Sequence, residues 1–198
     1  MLIGLISDVH GNVEAMEKAM ADLNGRVDEI FFAGDAMHEY RWCNEVVDIA
    51  RDLELPYILG NHEMNILSHH GDRARSNETV KQDLVDYVRT MPTRIDTKVG
   101  GKNLVMVHGT PWPPYNDYLH AGSALLKKCA DPEVDFLVLG HTHVPMAVRV
   151  ENTLIINPGS LGESREHGSP GTVSYAVLDT DTEEVEVIRF QNPRLPVF

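Results

Sequence analysis

The chain has 198 residues and a formal net charge of −13, with 42% hydrophobic and 24% charged residues. This length suits one domain with its own core, and the composition is that of an ordinary globular protein. An acidic surface disfavours nucleic acid and anionic membranes as partners, and no apolar run reaches the ~20 residues of a membrane helix. Cys43 and Cys129 lack metal or disulfide spacing. With no signal-peptide pattern at the N-terminus, we expect a cytoplasmic protein.

The first half of the chain alternates predicted strands and helices. Continuous apolar runs predict buried strands at residues 2–7, 29–34 and 56–60. Apolar residues at helical spacing predict helices at residues 12–23, 43–53 and 77–90. Asn12 and Asn77 are the expected N-caps of the first and third helices. This alternation indicates a parallel sheet.

The second half is dominated by predicted hairpins. One hairpin turns at Gly100-Gly101 and another at Glu151-Asn152, and a third spans residues 172–190. Between them lie a predicted helix at 122–131 and a buried strand at 134–140. A mixed sheet, or two sheets packed face to face with helices outside, fits both halves.

Short polar motifs follow five of the predicted strands: "SDVHGN", "AGDA", "GNHE", "VHGT" and "GHTH". Strand ends that meet at one edge of a sheet bring such side chains together. Any one of these motifs is common in solvated loops, whereas all five in this order favour one shared site. The candidate metal ligands are Asp8, His10, Asp35, Asn61, His108, His141 and His143.

Oxygen and nitrogen ligands without sulfur point to a divalent metal rather than a soft one. Seven ligands are too many for one ion, but they suffice for two ions that share a carboxylate. Two ions about 3.5–4 Å apart are a common device for cleaving phosphate esters. We therefore predict two divalent metal ions as cofactors, with manganese preferred over iron, zinc, nickel, cobalt or magnesium.

The ordered set "DVH", "GD", "GNHE", "HG" and "GHTH" resembles the calcineurin-like metallophosphoesterase superfamily over residues 3–160. The "NPGS" at 157–160 resembles its small prokaryotic phosphodiesterase/phosphatase branch. This resemblance implies an α/β fold in which two mixed β-sheets pack as a sandwich with flanking helices, a four-layer αββα arrangement. It implies a single domain over residues 1–198, with a short helical, cap-like insertion around 64–92.

The resemblance also implies how the ligands divide between the two metals. Asp8, His10 and His143 would bind one ion, Asn61, His108 and His141 would bind the other, and Asp35 would bridge them. His141 and His143 would then face different ions. If their backbone stays extended, residues i and i+2 point the same way.

The implied reaction is hydrolysis of phosphomonoester or phosphodiester bonds, in which a metal-bridging hydroxide attacks phosphorus. His62 is the predicted catalytic residue and donates a proton to the leaving oxygen; the alternative is a hydrogen bond that supports the metal site. Many relatives carry an aspartate three residues after the "GD" aspartate, where this chain has His38. That aspartate often orients the catalytic histidine, so His38 or Glu39 replaces it, or the pair is absent.

Two loops offer candidate substrate contacts. In the basic loop at 68–77, Arg73 or Arg75 would reach the phosphate, unless the loop is simply solvated. In the aromatic loop at 109–120, Trp112, Tyr115 or Tyr118 would stack on a nucleobase, unless these rings pack on the core.

The expected partner is a small phosphorylated substrate, with a nucleotide as one option and a homo-oligomer left open. The alternatives are a dinucleoside polyphosphate hydrolase and a non-catalytic scaffold of the same fold. A retromer subunit is an example of such a scaffold.

Overall fold

Two mixed β-sheets form the centre of the protein in a computed structural model, which describes residues 1–115, 117–169 and 171–194. The first sheet has the order β2-β1-β8-β9, with β1 (Leu2–Ile6), β2 (Glu29–Phe32), β8 (Thr172–Asp179) and β9 (Val185–Gln191). The second has the order β3-β4-β5-β7-β6, with β3 (Arg94–Val99), β4 (Lys102–Val107), β5 (Phe136–Val138), β6 (Met146–Val150) and β7 (Thr153–Asn157). Strands β1 and β2 are parallel, as are β4, β5 and β7, and the other pairings are antiparallel.

The helices connect these strands on the outside. They are α1 (Val13–Leu23), α2 (Asn44–Asp52), α3 (Asn61–Leu67), α4 (Asp72–Arg75) and α5 (Gln82–Arg89), with 3-10 helices at His69–Gly71 and Ala124–Cys129. Asn12 caps α1 as predicted, because its side chain accepts a hydrogen bond from the Ala15 backbone N–H. Within the described part of the chain, none of these helices is long and apolar enough to cross a membrane.

Alternation of side chains along the strands produces the layers. In β4, Leu104 and Met106 face the apolar cluster between the two sheets, whereas Val105 and Val107 face the opposite side. Leu5 of β1 packs from the other sheet into the same central cluster. Outside the first sheet lie the helices α1 and α2, and outside the second lies the 3-10 helix at Ala124–Cys129. The predicted four-layer sandwich with flanking helices is therefore confirmed.

Three of the predicted elements differ from the structure. The strand at 56–60 is reduced to a bridge between Phe32 and Tyr57, because the Gly60 N–H donates to the Glu63 carboxylate instead of extending the ladder. The helix predicted at 77–90 begins only at Gln82. The side chain of its expected N-cap, Asn77, instead accepts hydrogen bonds from Thr79 in a local turn.

The third difference is the predicted helix at 122–131, which forms the tighter 3-10 turns of Ala124–Cys129. The hairpins turn where the sequence predicts. The insertion around 64–92 contains α4, α5 and the end of α3. Leu84 and Val88 of α5 are buried in the apolar cluster outside the first sheet. The description of this segment as a cap stays a prediction.

The central apolar layer should dominate stability. Leu5 is completely buried between the sheets, so Leu5→Ala should lower the free energy of unfolding by roughly 2–5 kcal/mol through lost burial and a residual cavity. Urea denaturation followed by circular dichroism measures this loss. Leu53→Ala is the matched control, because Leu53 is 53% exposed. Equal losses in the two variants would contradict a core between the sheets.

Candidate metal centre

The loops after four strands meet at one edge of the sandwich. Asp8 follows β1, Asp35 follows β2, His108 follows β4, and His141 and His143 follow β5. Backbone hydrogen bonds continue the sheets into these loops: the Asp8 N–H donates to the carbonyl of residue 34 at 2.9 Å, and the residue 140 N–H donates to the His108 carbonyl at 2.8 Å. The polar side chains are therefore held on rigid extensions of the strands.

Five of the seven candidate ligands have left-handed backbones. Their φ angles are 52° at Asp8, 48° at His10, 58° at Asp35, 70° at His141 and 58° at His143. This region is uncommon for residues other than glycine, and non-glycine residues held there cost about 1–3 kcal/mol each. Such strain is typical of functional sites. The backbone at His141 and His143 is therefore not extended, because the loop turns at both residues.

The ligand side chains form two adjoining groups. One contains Asp8, His10 and His143, and the other contains Asp35, His108 and His141, with ligand atoms within 4.8 Å of one another in each group. The His108 Nε2 atom lies 3.1 Å from Asp35 Oδ2 and 3.9 Å from Asp8 Oδ1, so the groups are neighbours.

Asn61 belongs to the same arrangement, because its Oδ1 atom lies 3.1 Å from His108 Nε2. All seven candidates therefore come together at one site. The turn between His141 and His143 also places one imidazole in each group.

Backbone carbonyls fix the orientation of two imidazoles. The Nδ1 atom of His108 lies 2.7 Å from the Ala33 carbonyl oxygen, and that of His143 lies 2.8 Å from the Glu163 carbonyl oxygen. Since a carbonyl only accepts, each Nδ1 carries the proton and donates it. In the neutral ring, Nε2 then presents its lone pair to the site, which is the arrangement of a metal-binding histidine.

The side chains of this site fit divalent cations. Asp8 is completely buried, and its Oδ1 atom has no hydrogen-bond partner among the described residues. The Nε2 atoms of His10 and His143 face each other at 3.0 Å. A cation would satisfy these electron pairs together, and the oxygen and nitrogen donors suit manganese, iron or zinc.

The electrostatics favour ionised carboxylates. Burial alone would raise the pKa of Asp8, but the His10 imidazole, 3.7 Å from Asp8 Oδ1, and the charges of His108 and His143 hold that pKa well below its usual value. Burial likewise opposes ionisation of Asp35, and His108 outweighs it and lowers the pKa. Burial lowers the pKa of His108, yet Asp35 and Asp8 raise it to about 10. Without a metal, His108 therefore keeps its proton, so protons compete with cations for this site.

The Glu63 side chain connects the loops that carry the "AGDA" and "GNHE" motifs. Its buried carboxylate accepts hydrogen bonds from the backbone N–H groups of Asp35 at 2.9 Å, Ala36 at 2.6 Å and Gly60 at 2.8 Å. Burial and the neighbouring charge of Asp35 raise its pKa to about 7. A cation bound to Asp35 would offset that repulsion and favour the ionised form that accepts all three bonds.

The "NPGS" turn supports the other side of the site. The Asn157 amide donates to the carbonyl of residue 140 at 2.6 Å and to Thr142 Oγ1 at 3.1 Å. The Ser160 hydroxyl donates to the Asp8 carbonyl at 2.7 Å. These bonds hold the loop between His141 and His143 and connect it to the first motif.

His62 faces a cavity of about 530 Å³ that His10, His38 and His143 also line. The His62 Nε2 atom lies 3.8 Å from Asp35 Oδ2, and its Nδ1 has no hydrogen-bond partner in the described structure. Burial lowers the pKa of His62, and Asp35 opposes this effect.

No described carboxylate lies within hydrogen-bond distance of the His62 ring. The rings of His38 and His62 are 6.3 Å apart between centroids, too far for a hydrogen bond. Glu39 accepts a hydrogen bond from the Asn65 amide at 2.7 Å instead. Among the three options left open by the sequence, the geometry agrees with an absent partner.

The two arginines of the basic loop lie in different surroundings. Arg73 is exposed and forms no hydrogen bond or ion pair with any described residue. Arg75 donates to the backbone carbonyls of Ile66 and Ser68, so it links parts of its own segment. Phosphate binding by either arginine stays a prediction.

The three rings of the aromatic loop also lie in different surroundings. Trp112 packs against the cluster outside the second sheet. Tyr115 is 52% exposed and lines a cavity of about 170 Å³ beside His108. The Tyr118 ring stacks on His141 with centroids 4.1 Å apart. A role in substrate binding stays a prediction for all three rings.

Sequence reasoning missed the basic residues that line the larger cavity. Arg165 and Arg194 border the same 530 Å³ space as His62. Arg165 follows the "NPGS" turn by five positions, which is the one local signal for it. Arg194 lies far from every motif in the sequence.

An αββα sandwich with clustered, buried carboxylate and imidazole side chains in the loops after its strands has the architecture of a metal-dependent α/β protein. Residues 1–183 match the family model described as "Calcineurin-like phosphoesterase superfamily domain". The chain therefore belongs to this superfamily of metal-dependent phosphoesterases, which confirms the resemblance drawn from the motifs.

Known proteins agree with this assignment. The chain is 25% identical to an uncharacterized protein of Methanocaldococcus jannaschii, over 96% of this chain and 87% of that protein. It is 29% identical to a second protein of that organism, named "Probable metallophosphoesterase", over 81% of this chain and 68% of the relative. The crystal structure of a metallophosphoesterase from Sphaerobacter thermophilus superposes with a TM-score of 0.76 at 28% identity, covering 96% of this chain and 89% of that one.

Close packing at Gly140 should be essential for the site. A Cβ at this position would lie 2.1 Å from Ser7 Oγ and 2.8 Å from Asp8 Oδ2. Gly140→Ala should therefore displace Asp8 and weaken manganese binding by roughly 10–100-fold, as disturbance around metal ligands commonly does. Calorimetric titration with Mn²⁺ measures the change. Gly122→Ala is the control, because no atom lies within 4 Å of its added Cβ. Unchanged affinity in Gly140→Ala would contradict the packing argument.

Proposed function

We propose that this protein is a binuclear metal-dependent phosphoesterase that hydrolyses phosphomonoester or phosphodiester bonds of a small anionic substrate. The observation that carries the proposal is the pair of adjoining buried ligand groups, each with one carboxylate and two imidazoles. Membership of the superfamily supports metal-dependent phosphoester chemistry. Because there are two adjoining ligand groups, we expect two ions rather than one.

In this proposal, Asp8, His10 and His143 hold one ion, Asn61, His108 and His141 hold the other, and Asp35 bridges them. Two observations support the bridging role. Asp35 is within reach of His108, at 3.1 Å. The second observation concerns His10, which belongs to the other group. Burial lowers the pKa of His10, but Asp8 and then the charge of Asp35 raise it. We propose manganese as the metal, because the ligands are oxygen and nitrogen atoms only.

Bound divalent cations would supply an activated water and charge stabilisation for the phosphorus centre. The protein's own residues have three tasks around them. Asp8 and Asp35 offset part of the positive charge. Ala33 and Glu163 orient the imidazoles of His108 and His143 through their carbonyl groups.

The third task is proton transfer by His62 to the leaving oxygen. The His62 backbone N–H donates to Asp35 Oδ1 at 2.9 Å, so this residue is fixed directly to a metal ligand. Its ring borders the cavity in which a substrate would lie.

The cavity and the charge support a small substrate. A volume of about 530 Å³ lies in the usual range of small-molecule sites, roughly 300–1,000 Å³. The net charge of −13 disfavours long nucleic acids. A cytoplasmic location belongs to the same proposal, and the oligomeric state stays open.

Metal content and hydrolysis test the proposal. The protein loaded with Mn²⁺ should contain two ions per chain by elemental analysis and should hydrolyse bis(4-nitrophenyl) phosphate or 4-nitrophenyl phosphate. Asp35→Asn should reduce kcat at saturating metal more than Asn61→Ala, because it removes a charge shared by both ions. Asp86→Asn, at an exposed position, is the control. A single ion per chain, or no hydrolysis of any phosphoester, would overturn the proposal, and equal losses would remove the support for bridging.

The role of His62 depends on the leaving group. An alkoxide needs a proton, whereas nitrophenolate leaves without one, and general acid catalysis contributes roughly 10²–10⁴-fold. His62→Asn should therefore slow alkyl phosphoesters by about that factor and slow nitrophenyl esters much less. His167→Asn, at an exposed position, is the control. Equal losses on both esters would assign His62 to metal support or phosphate binding. His38→Ala should leave this dependence unchanged, because His38 is too distant to orient His62.

A further inference from the structure

Two arginines line the cavity in which His62 lies, in addition to the residues of the metal centre. We propose that Arg165 and Arg194 form an anion subsite that binds a second negatively charged group of the substrate, beyond the phosphate at the metals. The substrate would then be a phosphoester whose organic part carries a carboxylate or a further phosphate. This inference rests on the proposed function, because it names the substrate class of the same site.

Arg165 is positioned by the metal centre itself. Its backbone N–H donates to the carbonyl oxygen of His143 at 3.2 Å. The turn before it is held by Ser160, whose hydroxyl oxygen accepts from the Glu163 N–H at 2.9 Å. The Arg165 side chain is exposed and forms no ion pair or hydrogen bond with any described residue. Its guanidinium donors are therefore free for a ligand, and their planar fork matches carboxylate or phosphate oxygens.

Arg194 reaches the cavity from the other end of the sequence. The preceding Asn192 is buried and fixes the chain: it accepts from the Asn12 amide at 3.0 Å and donates to the carbonyl of residue 162 at 2.9 Å. The Arg194 guanidinium itself donates to the carbonyl of residue 11 and lies 3.3 Å from the exposed carboxylate of Glu14. Such an exposed pair is weak, so Arg194 keeps most of its attraction for an anion.

The charges around the cavity indicate a second anionic group rather than the scissile phosphate. Two divalent cations would carry four positive charges, of which Asp8 and Asp35 offset two, and a phosphate dianion would balance the rest. Among the described residues that line this cavity, Glu163 is the one carboxylate, against two guanidinium groups. On a protein with a net charge of −13, this local positive excess is a specific attraction for another anion.

Phosphonates test the subsite without any need for hydrolysis, because their C–P bond is not cleaved. The probes are 4-phosphonobutyrate and 6-phosphonohexanoate, compared with butylphosphonate and hexylphosphonate, which lack the carboxylate. Calorimetry on the Mn²⁺-loaded protein should show tighter binding of at least one carboxylated probe than of its partner. Arg165→Gln should weaken that probe by about 10-fold, the usual effect of one charge-assisted hydrogen bond, and should change binding of the partner without the carboxylate by less than about 2-fold.

Three further variants refine the test. Arg194→Lys keeps the charge and should retain part of the preference, whereas Arg194→Gln should lose it. Glu163→Gln removes the opposing charge and should tighten binding of the carboxylated probe. Arg89→Gln is the matched control, since Arg89 is exposed and lies outside the cavity lining.

The outcomes separate the inference from the proposed function. No carboxylate preference for either chain length, or a preference unchanged by the arginine variants, would overturn the subsite. Equal weakening of both members of a pair would also overturn it, and would assign the arginines to the phosphate at the metals. The matching esters, butyl phosphate and 4-phosphonooxybutyrate, are assayed in parallel for released phosphate. An arginine-dependent preference in binding without hydrolysis of any ester would reject the phosphoesterase and keep the subsite.

Discussion

The buried carboxylate of Asp8 sets the central constraint on this structure. One of its oxygens accepts hydrogen bonds from Ser7 and from the His141 backbone N–H, at 2.6 and 2.9 Å, and the other has no donor among the described residues. An anion without water needs a nearby positive charge, because leaving it unpaired in the interior costs several kcal/mol. The imidazoles gathered around it therefore act as ligands for a cation or, without one, as its proton-carrying partners. Either way, the loops must hold several charged groups at close range.

Rigid scaffolding makes that possible. The left-handed backbones at five ligand positions are unfavourable locally, and they persist because the sandwich behind them is tightly packed. Gly34 and Gly60 pack so closely that an added Cβ at Gly34 would lie 2.8 Å from the Gly60 nitrogen. The Glu63 carboxylate joins the loops across this contact. The apolar layers thus provide the stability with which the site keeps a strained arrangement.

The clustering of the candidate ligands was predictable from the sequence because strand ends converge, whatever the details of the sheets. Asp8, Asp35 and His108 each follow an apolar run, and the sheet topology brings the ends of these runs to one edge. Other features depend on hydrogen bonds between distant segments and left no local pattern. The run at 56–60 reads as a strand, yet its last N–H donates to the Glu63 carboxylate, which also accepts from the backbone of Asp35 and Ala36.

The basic residues illustrate the same limit. Arg75 lies in a basic loop that suggests phosphate binding, but its guanidinium is occupied by carbonyl groups of its own segment. Arg194 lies beside the first motif only because Asn192 bonds to Asn12, 180 positions away in the sequence. A spacing pattern cannot encode contacts of that kind, so the cavity around the metal centre required the three-dimensional structure.

The position of β1 has a consequence for synthesis on the ribosome. This strand is made well before β8, and it lies inside its sheet between β2 and β8. Leu2 pairs with Asp179, so one edge of β1 stays without its partner until translation has passed residue 179. An apolar strand with an open edge is prone to pair with other chains. Nascent chains of this protein should therefore depend on chaperones until β8 emerges, and pauses in translation before that point should favour aggregation.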